Sequence, residues 1–155
     1  MFRSKDLYNR NIYDSYGKEL GRVKDMVVDF INAKVSGFLV FNSKDNENMR
    51  RVDIEDLVGE NSREYEKHKV EDLFSQVKNM EVIDKSGVEK GLVNDLILDE
   101  ESFEIKAFVL QKDEVEKVRE GNEIILTKDV VFEDGYIQYI GKSNVVFKNI
   151  TYKKA

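Results

Sequence analysis

Tyr13 to Val40 aligns without gaps against Ile83 to Leu110, a constant shift of 70 positions (83 − 13), within a chain of 155 residues. Identities fall at Asp14/Asp84, Gly17/Gly87, Glu19/Glu89, Gly21/Gly91, Val23/Val93, Asp25/Asp95, Asp29/Asp99 and Phe38/Phe108, where chance pairing over such a window gives about two. Between them the hydrophobic pattern is kept by Met26/Leu96, Val27/Ile97, Val28/Leu98, Val35/Ile105 and Leu39/Val109. The chain is a duplication, and at this length it has room for two small units and little else. Weaker matches, which need gaps, extend the repeat: Lys5-Asp6-Leu7-Tyr8 against Glu71-Asp72-Leu73-Phe74, and Val52 to Val58 against Ile125 to Val131. We draw the units as residues 1–66 and 67–155, the second with a C-terminal strand extension.

Each unit reads as strands joined by tight turns. Ile12 to Asp14 and Val82 to Asp84 are short extended segments that run into Gly17 and Gly87, where glycine can take a positive φ. Arg22 to Asp29 and Leu92 to Asp99 are apolar on both faces, as expected of a strand inside a small barrel. Val35 to Phe41 and Ile105 to Leu110 follow as β-branched and aromatic strands, then Glu123 to Thr127 in the second unit. Tyr136 to Ile140 and Val145 to Tyr152 read as closing strands. Two segments depart from the pattern. Ser62 to Val77 carries Val70, Leu73, Phe74 and Val77 at helical spacing, which predicts a short linker helix. Asp113 to Gly121 predicts a one- or two-turn helix, where the first unit has the polar loop Asn42 to Met49.

Composition removes whole classes of chemistry. With no cysteine there are no disulfides, thiolate metal sites or cysteine nucleophiles, and with one histidine, His68, there is no multi-histidine metal site. His68 sits among Glu66, Lys67 and Lys69 and reads as a solvated residue. The N-terminus lacks the apolar stretch of a secretion signal, and no run reaches the roughly 20 apolar residues of a membrane span, so the expectation is a cytoplasmic protein with no membrane insertion. Lys and Arg number 25 against 31 Asp and Glu, a net charge of -6, which disfavours nucleic acid as the main partner. The imbalance is uneven: residues 1–70 hold 13 of each sign, while residues 71–155 hold 12 basic and 18 acidic. Any anionic partner is therefore expected at the first repeat. Arg50-Arg51, the only adjacent arginine pair, reads as a solvated loop-to-strand junction.

Asp25/Asp29 and Asp95/Asp99 are the candidates for chemistry, because carboxylates four apart on a regular strand share a face and can approach a hard cation. A structural role explains them better. Asp29 and Asp99 stand where a strand gives way to a turn, a place where aspartate accepts local backbone N–H bonds, and a demand of the fold recurs in each copy whereas an active site need occur once. The Gly17/Gly21 and Gly87/Gly91 spacing lacks the Lys-Ser/Thr ending of a phosphate-binding loop and opens no helix. We therefore expect no catalytic residue, no metal and no cofactor.

The twice-repeated pattern Tyr/Ile-Asp-x-x-Gly-x-x-x-Gly-x-Val-x-Asp-x-x-x-Asp, at Tyr13 to Asp29 and Ile83 to Asp99, resembles the PRC-barrel domain. That family is named for the cytoplasmic domain of the photosynthetic reaction centre H subunit. It also includes the C-terminal domain of a ribosome maturation factor and small bacterial proteins, some linked to sporulation. The resemblance implies an all-β chain of two small, about six-stranded PRC-barrel units in tandem. It also implies a non-enzymatic role in protein binding or assembly. The surplus of apolar residues from Tyr136 to Tyr152 leaves a homodimer as one form of that partnership, and the uneven charge makes RNA or ribosome association through the first repeat the alternative. Asp14, Gly17, Gly21, Asp25 and Asp29, with Asp84, Gly87, Gly91, Asp95 and Asp99, are then structural motif residues.

Overall fold

The structure, a computed structural model, describes residues 1–42, 49–54, 63–64, 71–111, 122–141 and 145–147. In chain order its strands are β1 (Phe2–Arg3), β2 (Asn11–Tyr13), β3 (Glu19–Asp29), β4 (Lys34–Phe41), β5 (Arg50–Asp53), β6 (Arg63–Glu64) and β7 (Glu71–Leu73). After the single helical turn α1 (Phe74–Val77) come β8 (Glu81–Ile83), β9 (Glu89–Leu98), β10 (Ile105–Gln111), β11 (Asn122–Leu126), β12 (Val130–Phe132), β13 (Ile137–Tyr139) and β14 (Val145–Phe147). The fold is all-β. Its two sheets run β2-β3-β4-β5-β6 with β7 on β3, and β12-β13-β8-β9-β10-β11-β14 with β1 on β9.

The duplication holds at the level of single hydrogen-bonded pairs. In the first sheet Ile12 faces Gly21 and Tyr13 faces Glu19, with a slip between them; in the second Val82 faces Gly91 and Ile83 faces Glu89, with the same slip. Along β3 and β4, Val23 pairs Val40, Asp25 pairs Leu39, Met26 pairs Phe38 and Val28 pairs Val35; along β9 and β10 the pairs are Val93/Leu110, Asp95/Val109, Leu96/Phe108 and Leu98/Ile105. Each long strand bulges once, at Lys24 or Asn94, and its partner bulges at the equivalent place, Ser36 on β4 or Lys106 on β10. A bulge adds a residue and reverses the side-chain alternation beyond it, which bends the strand. Arg22 and Lys24 alternate with buried Gly21 and Val23, whereas Asp25 to Asp29 are buried without a break. Each sheet buries the repeated apolar set, Val23, Val27 and Phe38 in one and Val93, Ile97 and Phe108 in the other. Full burial of such a side chain contributes about 1.5–3 kcal/mol.

The unit boundaries differ from the sequence expectation of 1–66 and 67–155. One compact unit is Lys5–Ser75; the other is Met1–Ser4 with Gln76–Ala155. β2 covers β3 only as far as Arg22, leaving the edge at Val27 to Asp29 open, and β7 fills it: Leu73 pairs Val27, Asp72 pairs Val28 and Glu71 pairs Asp29. On β9 the corresponding edge is filled by β1, with Arg3 on Ile97 and Phe2 on Leu98. Each repeat thus completes its sheet with a strand that precedes the other repeat in sequence. An open edge leaves backbone donors and acceptors unpaired, so both edges are covered, and they are covered reciprocally.

The crossing strands also correct two sequence expectations. Strand register equates Phe2 with Asp72 and Arg3 with Leu73, and the positive-φ turns at Asn9 and Asn79 donate to Val23 and Val93 alike. The shift of 70 therefore continues upstream without a gap, and the match of Lys5–Tyr8 with Glu71–Phe74 is out of register. Sequence similarity failed there because the two crossing strands meet different neighbours. Among the described residues of the linker helix expected over Ser62–Val77, only Phe74–Val77 is helical; Arg63–Glu64 and Glu71–Leu73 are strands. Leu73, Phe74 and Val77 share helical spacing because a strand ends and a turn begins inside the run. Residues 65–70, including His68, the helix expected over 113–121, most of the loop 42–49 and the end of the strand expected over 145–152 lie outside the described residues. Downstream, Phe38 pairs Val52 and Phe108 pairs Ile125, which places the Val52/Ile125 match correctly.

Candidate functional site

Asp14 and Asp84 each close the turn that follows a short strand. Asp14 Oδ1 accepts the backbone N–H groups of Tyr16 and Lys18 at 2.9 Å each; Asp84 Oδ1 accepts those of Ser86 and Val88 at 2.8 and 3.0 Å. Gly17 and Gly87 sit within these turns at φ +83° and +82°, the left-handed region where a Cβ is strained. Gly21 and Gly91 have a different reason to be glycine. A Cβ on Gly21 would stand 2.7 Å from the Phe41 carbonyl oxygen, and one on Gly91 3.0 Å from that of Gln111. Asp29 Oδ1 accepts from Ile31 and Asn32 at 3.0 and 3.1 Å, and Asp99 Oδ1 accepts from Glu101 and Ser102 at 2.9 and 3.0 Å. Those backbone donors, Ser102 first and Glu101 second, hold the Asp99 carboxyl below its ordinary pKa.

Asp25 and Asp95 are the carboxylates to which the crossing strands are tied. Asp95 is 2% exposed; its Oδ2 accepts from Arg3 Nε at 2.8 Å, and its Oδ1 accepts from the Ser4 hydroxyl and, at 2.9 Å, from the Leu96 N–H. Asp25 Oδ1 accepts from the N–H groups of Met26 at 2.9 Å and Ser75 at 3.1 Å and from the Tyr8 hydroxyl at 3.3 Å, while its Oδ2 accepts from the Ser75 hydroxyl. A carboxylate buried beside a bulge needs several donors, and in each case the crossing segment supplies them. Phe2 adds an edge-to-face contact with Phe103 at 5.8 Å, and Phe74 packs against Tyr8 at 6.2 Å.

The geometry does not join the aspartates into the four-apart pairs expected from a regular strand. Asp25 meets Ser75 and Tyr8 while Asp29 meets the Ile31 and Asn32 N–H groups, and Asp95 meets Arg3 and Ser4 while Asp99 meets those of Glu101 and Ser102, so the members of each pair are committed to different donors. Among the described residues no group of three or more Asp, Glu or His side chains is placed to hold a metal ion.

Several residues escaped the sequence reading. Arg3, Ser4, Tyr8 and Ser75 hold Asp95 and Asp25, and nothing in the repeat pattern marks them, since at the shift of 70 Ser4 corresponds to Phe74 and Ser75 to Lys5. In the second unit Lys90 Nζ lies 2.9 Å from Glu123 Oε1 and 4.5 Å above the Tyr139 ring, with both ion-pair side chains buried. The first unit has Leu20 and Arg50 at those register positions. Arg51 departs from its expected solvated setting: it is 4% exposed and its Nε donates to Asp53 Oδ1 at 2.5 Å, two residues along β5 and so on the same face of the strand.

No helix among the described residues is long and apolar enough to cross a membrane. No curated protein matches the chain. The family of the PRC-barrel domain matches residues 1–47 and 69–138, one stretch for each copy of the turn-and-bulge framework, and the chain belongs to that family.

Proposed function

We propose that this PRC-barrel protein is a non-enzymatic cytoplasmic binding or scaffold module whose partner is another protein. One observation carries the reading: the motif carboxylates do the same internal work in both copies, each accepting backbone or crossing-strand donors within its own unit. A carboxylate committed to several N–H donors is a poor general base, and a role repeated in both copies belongs to the framework. The buried apolar set supports the same reading, since Val23, Val27 and Phe38 and their counterparts occupy the space beside β3 and β9. The test is affinity capture from the native cell with mass spectrometry. The expected result is a defined protein recovered in constant proportion; metal-dependent turnover by the purified chain would contradict it.

A second reading, RNA association, is favoured by the β2–β3 hairpin of the first repeat. It exposes Tyr13 and Tyr16 together with Arg10, Lys18, Arg22 and Lys24, where the second repeat has Ile83, Ser86, Met80, Val88, Leu92 and Asn94. Exposed aromatic rings among cations suit stacked bases and phosphates. On this reading binding to a single-stranded RNA oligonucleotide weakens steeply with salt, and Tyr16→Ala with Arg22→Ala abolishes it. Salt-independent or absent binding leaves the protein-partner reading in place.

A further inference from the structure

The edge of β9 that β1 covers is a dock for one short segment, and the described contacts of Phe2, Arg3 and Ser4 fall on β9 and the turn after it. Phe2 and Arg3 pair with Leu98 and Ile97, the Arg3 guanidinium and Ser4 hydroxyl meet the buried Asp95, and the Phe2 ring meets Phe103. β3 carries the reciprocal dock, filled by Glu71–Leu73 and locked by Ser75 on Asp25. Neither dock is filled by its own repeat. The monomer is thus built as an exchange between two copies of one unit that happen to lie on one chain. Nothing in either dock requires that common chain. The first repeat of one molecule can give β1 to, and take β7 from, the second repeat of another with every one of these contacts kept.

We propose that a second copy of this chain is a partner of these docks, giving a strand-exchanged homodimer in which β1 of each copy lies on β9 of the other. This inference stands apart from the choice between a protein and an RNA partner. Because the contacts are equal in number and kind, the monomer is favoured only by the effective concentration of its own strand, on the order of millimolar for a short tether. Dimer therefore accumulates as the chain is concentrated towards that range. Once formed it separates slowly, because both docks must open before strands can return.

The chain contains no cysteine, which makes a trap specific. Phe2→Cys and Leu98→Cys are made as separate full-length variants, held mixed at high concentration and then oxidised. Neither variant can close the Phe2–Leu98 pair within itself. The expected result is a disulfide-linked heterodimer in the mixture, well above the level given by Phe2→Cys mixed with Glu133→Cys, whose cysteine lies on an exposed turn. As a check on folding, the double variant Phe2→Cys/Leu98→Cys at low concentration should form the same bond within one chain. The unmodified protein, analysed by light scattering after concentration, should show a dimer that persists on dilution. A mixture that cross-links no more than the control, together with an unmodified chain that stays monomeric when concentrated, overturns the proposal.

Discussion

Asp95 and Asp25 occupy the same register position beside the same bulge, yet they are held by different chemistry. Asp95 has a guanidinium and a hydroxyl from Arg3 and Ser4; Asp25 has a hydroxyl and an N–H from Ser75 and a phenol from Tyr8. What the two copies share is a backbone demand: a bulged strand buries a carboxylate, and the segment that crosses from before the other repeat supplies donors to it. The side chains that meet the demand have drifted. The comparison teaches that the duplication preserved a geometry and left each copy free to choose its donors. The same divergence appears where Lys90 and Glu123 form a buried ion pair opposite Leu20 and Arg50.

The largest effect should distinguish the two anchors. Asp95→Ala leaves the Arg3 guanidinium, 14% exposed, without its counter-ion and is expected to cost about 3–5 kcal/mol. Asp25→Ala leaves neutral donors behind and should cost about 1–3 kcal/mol. Urea unfolding of both variants measures the difference, and equal losses would show that the ionic character of the Asp95 anchor is irrelevant.

Next in size is the ion pair that only the second unit has. Lys90→Met removes the cation 2.9 Å from the buried Glu123 carboxylate and should cost about 3 kcal/mol, whereas Lys90→Met with Glu123→Leu should recover most of it. Thermal unfolding of the single and double variants reads this directly; a double variant as unstable as the single one would place the stabilisation in the Lys90–Tyr139 contact instead.

The glycines sharpen the comparison within one copy. Gly21→Ala places a Cβ against the Phe41 carbonyl and is expected to cost about 2–3 kcal/mol, while Gly17→Ala meets open space and carries only left-handed strain of about 1–2 kcal/mol. The smallest effect is acid sensitivity at Asp99. Its folded pKa lies below the ordinary 3.8, so its stabilisation is complete above that value and is lost as the pH falls through the lower, folded one. Asp99→Asn keeps an acceptor and removes the titration, so the acid limb of its stability curve should be slightly shallower than that of the unmodified chain.

Much of this molecule was legible in its sequence, and the parts that were not share a cause. The turns at Asp14 and Asp84 could be read because their partners lie a few residues away and recur in both copies, whereas the close approach at Gly21 and Gly91 depends on a neighbouring strand and could not. The strands could be read from Val23, Val27 and Phe38 and their counterparts. The exchange could not. Phe2 and Arg3 carry no periodicity over two residues, and their partners on β9 are more than 90 positions distant. The Ser75–Asp25 bond joins residues 50 positions apart, and the repeat gives no sign of it, because Ser75 corresponds to Lys5 in the other copy. Arg51 misled for a related reason, since its burial beside Asp53 depends on what packs over that face of β5, which a charge count does not contain.

The central claim is that each repeat is completed by the strand preceding the other, and paired cysteines in the full-length chain test it most directly. In the structure Phe2 lies opposite Leu98; in a chain whose repeats kept their own strands, Phe2 would lie opposite Val28. The account predicts that Phe2→Cys/Leu98→Cys closes a disulfide within the monomer under mild oxidation, while Phe2→Cys/Val28→Cys does not. Closure of the Phe2–Val28 pair in preference to the Phe2–Leu98 pair would contradict it.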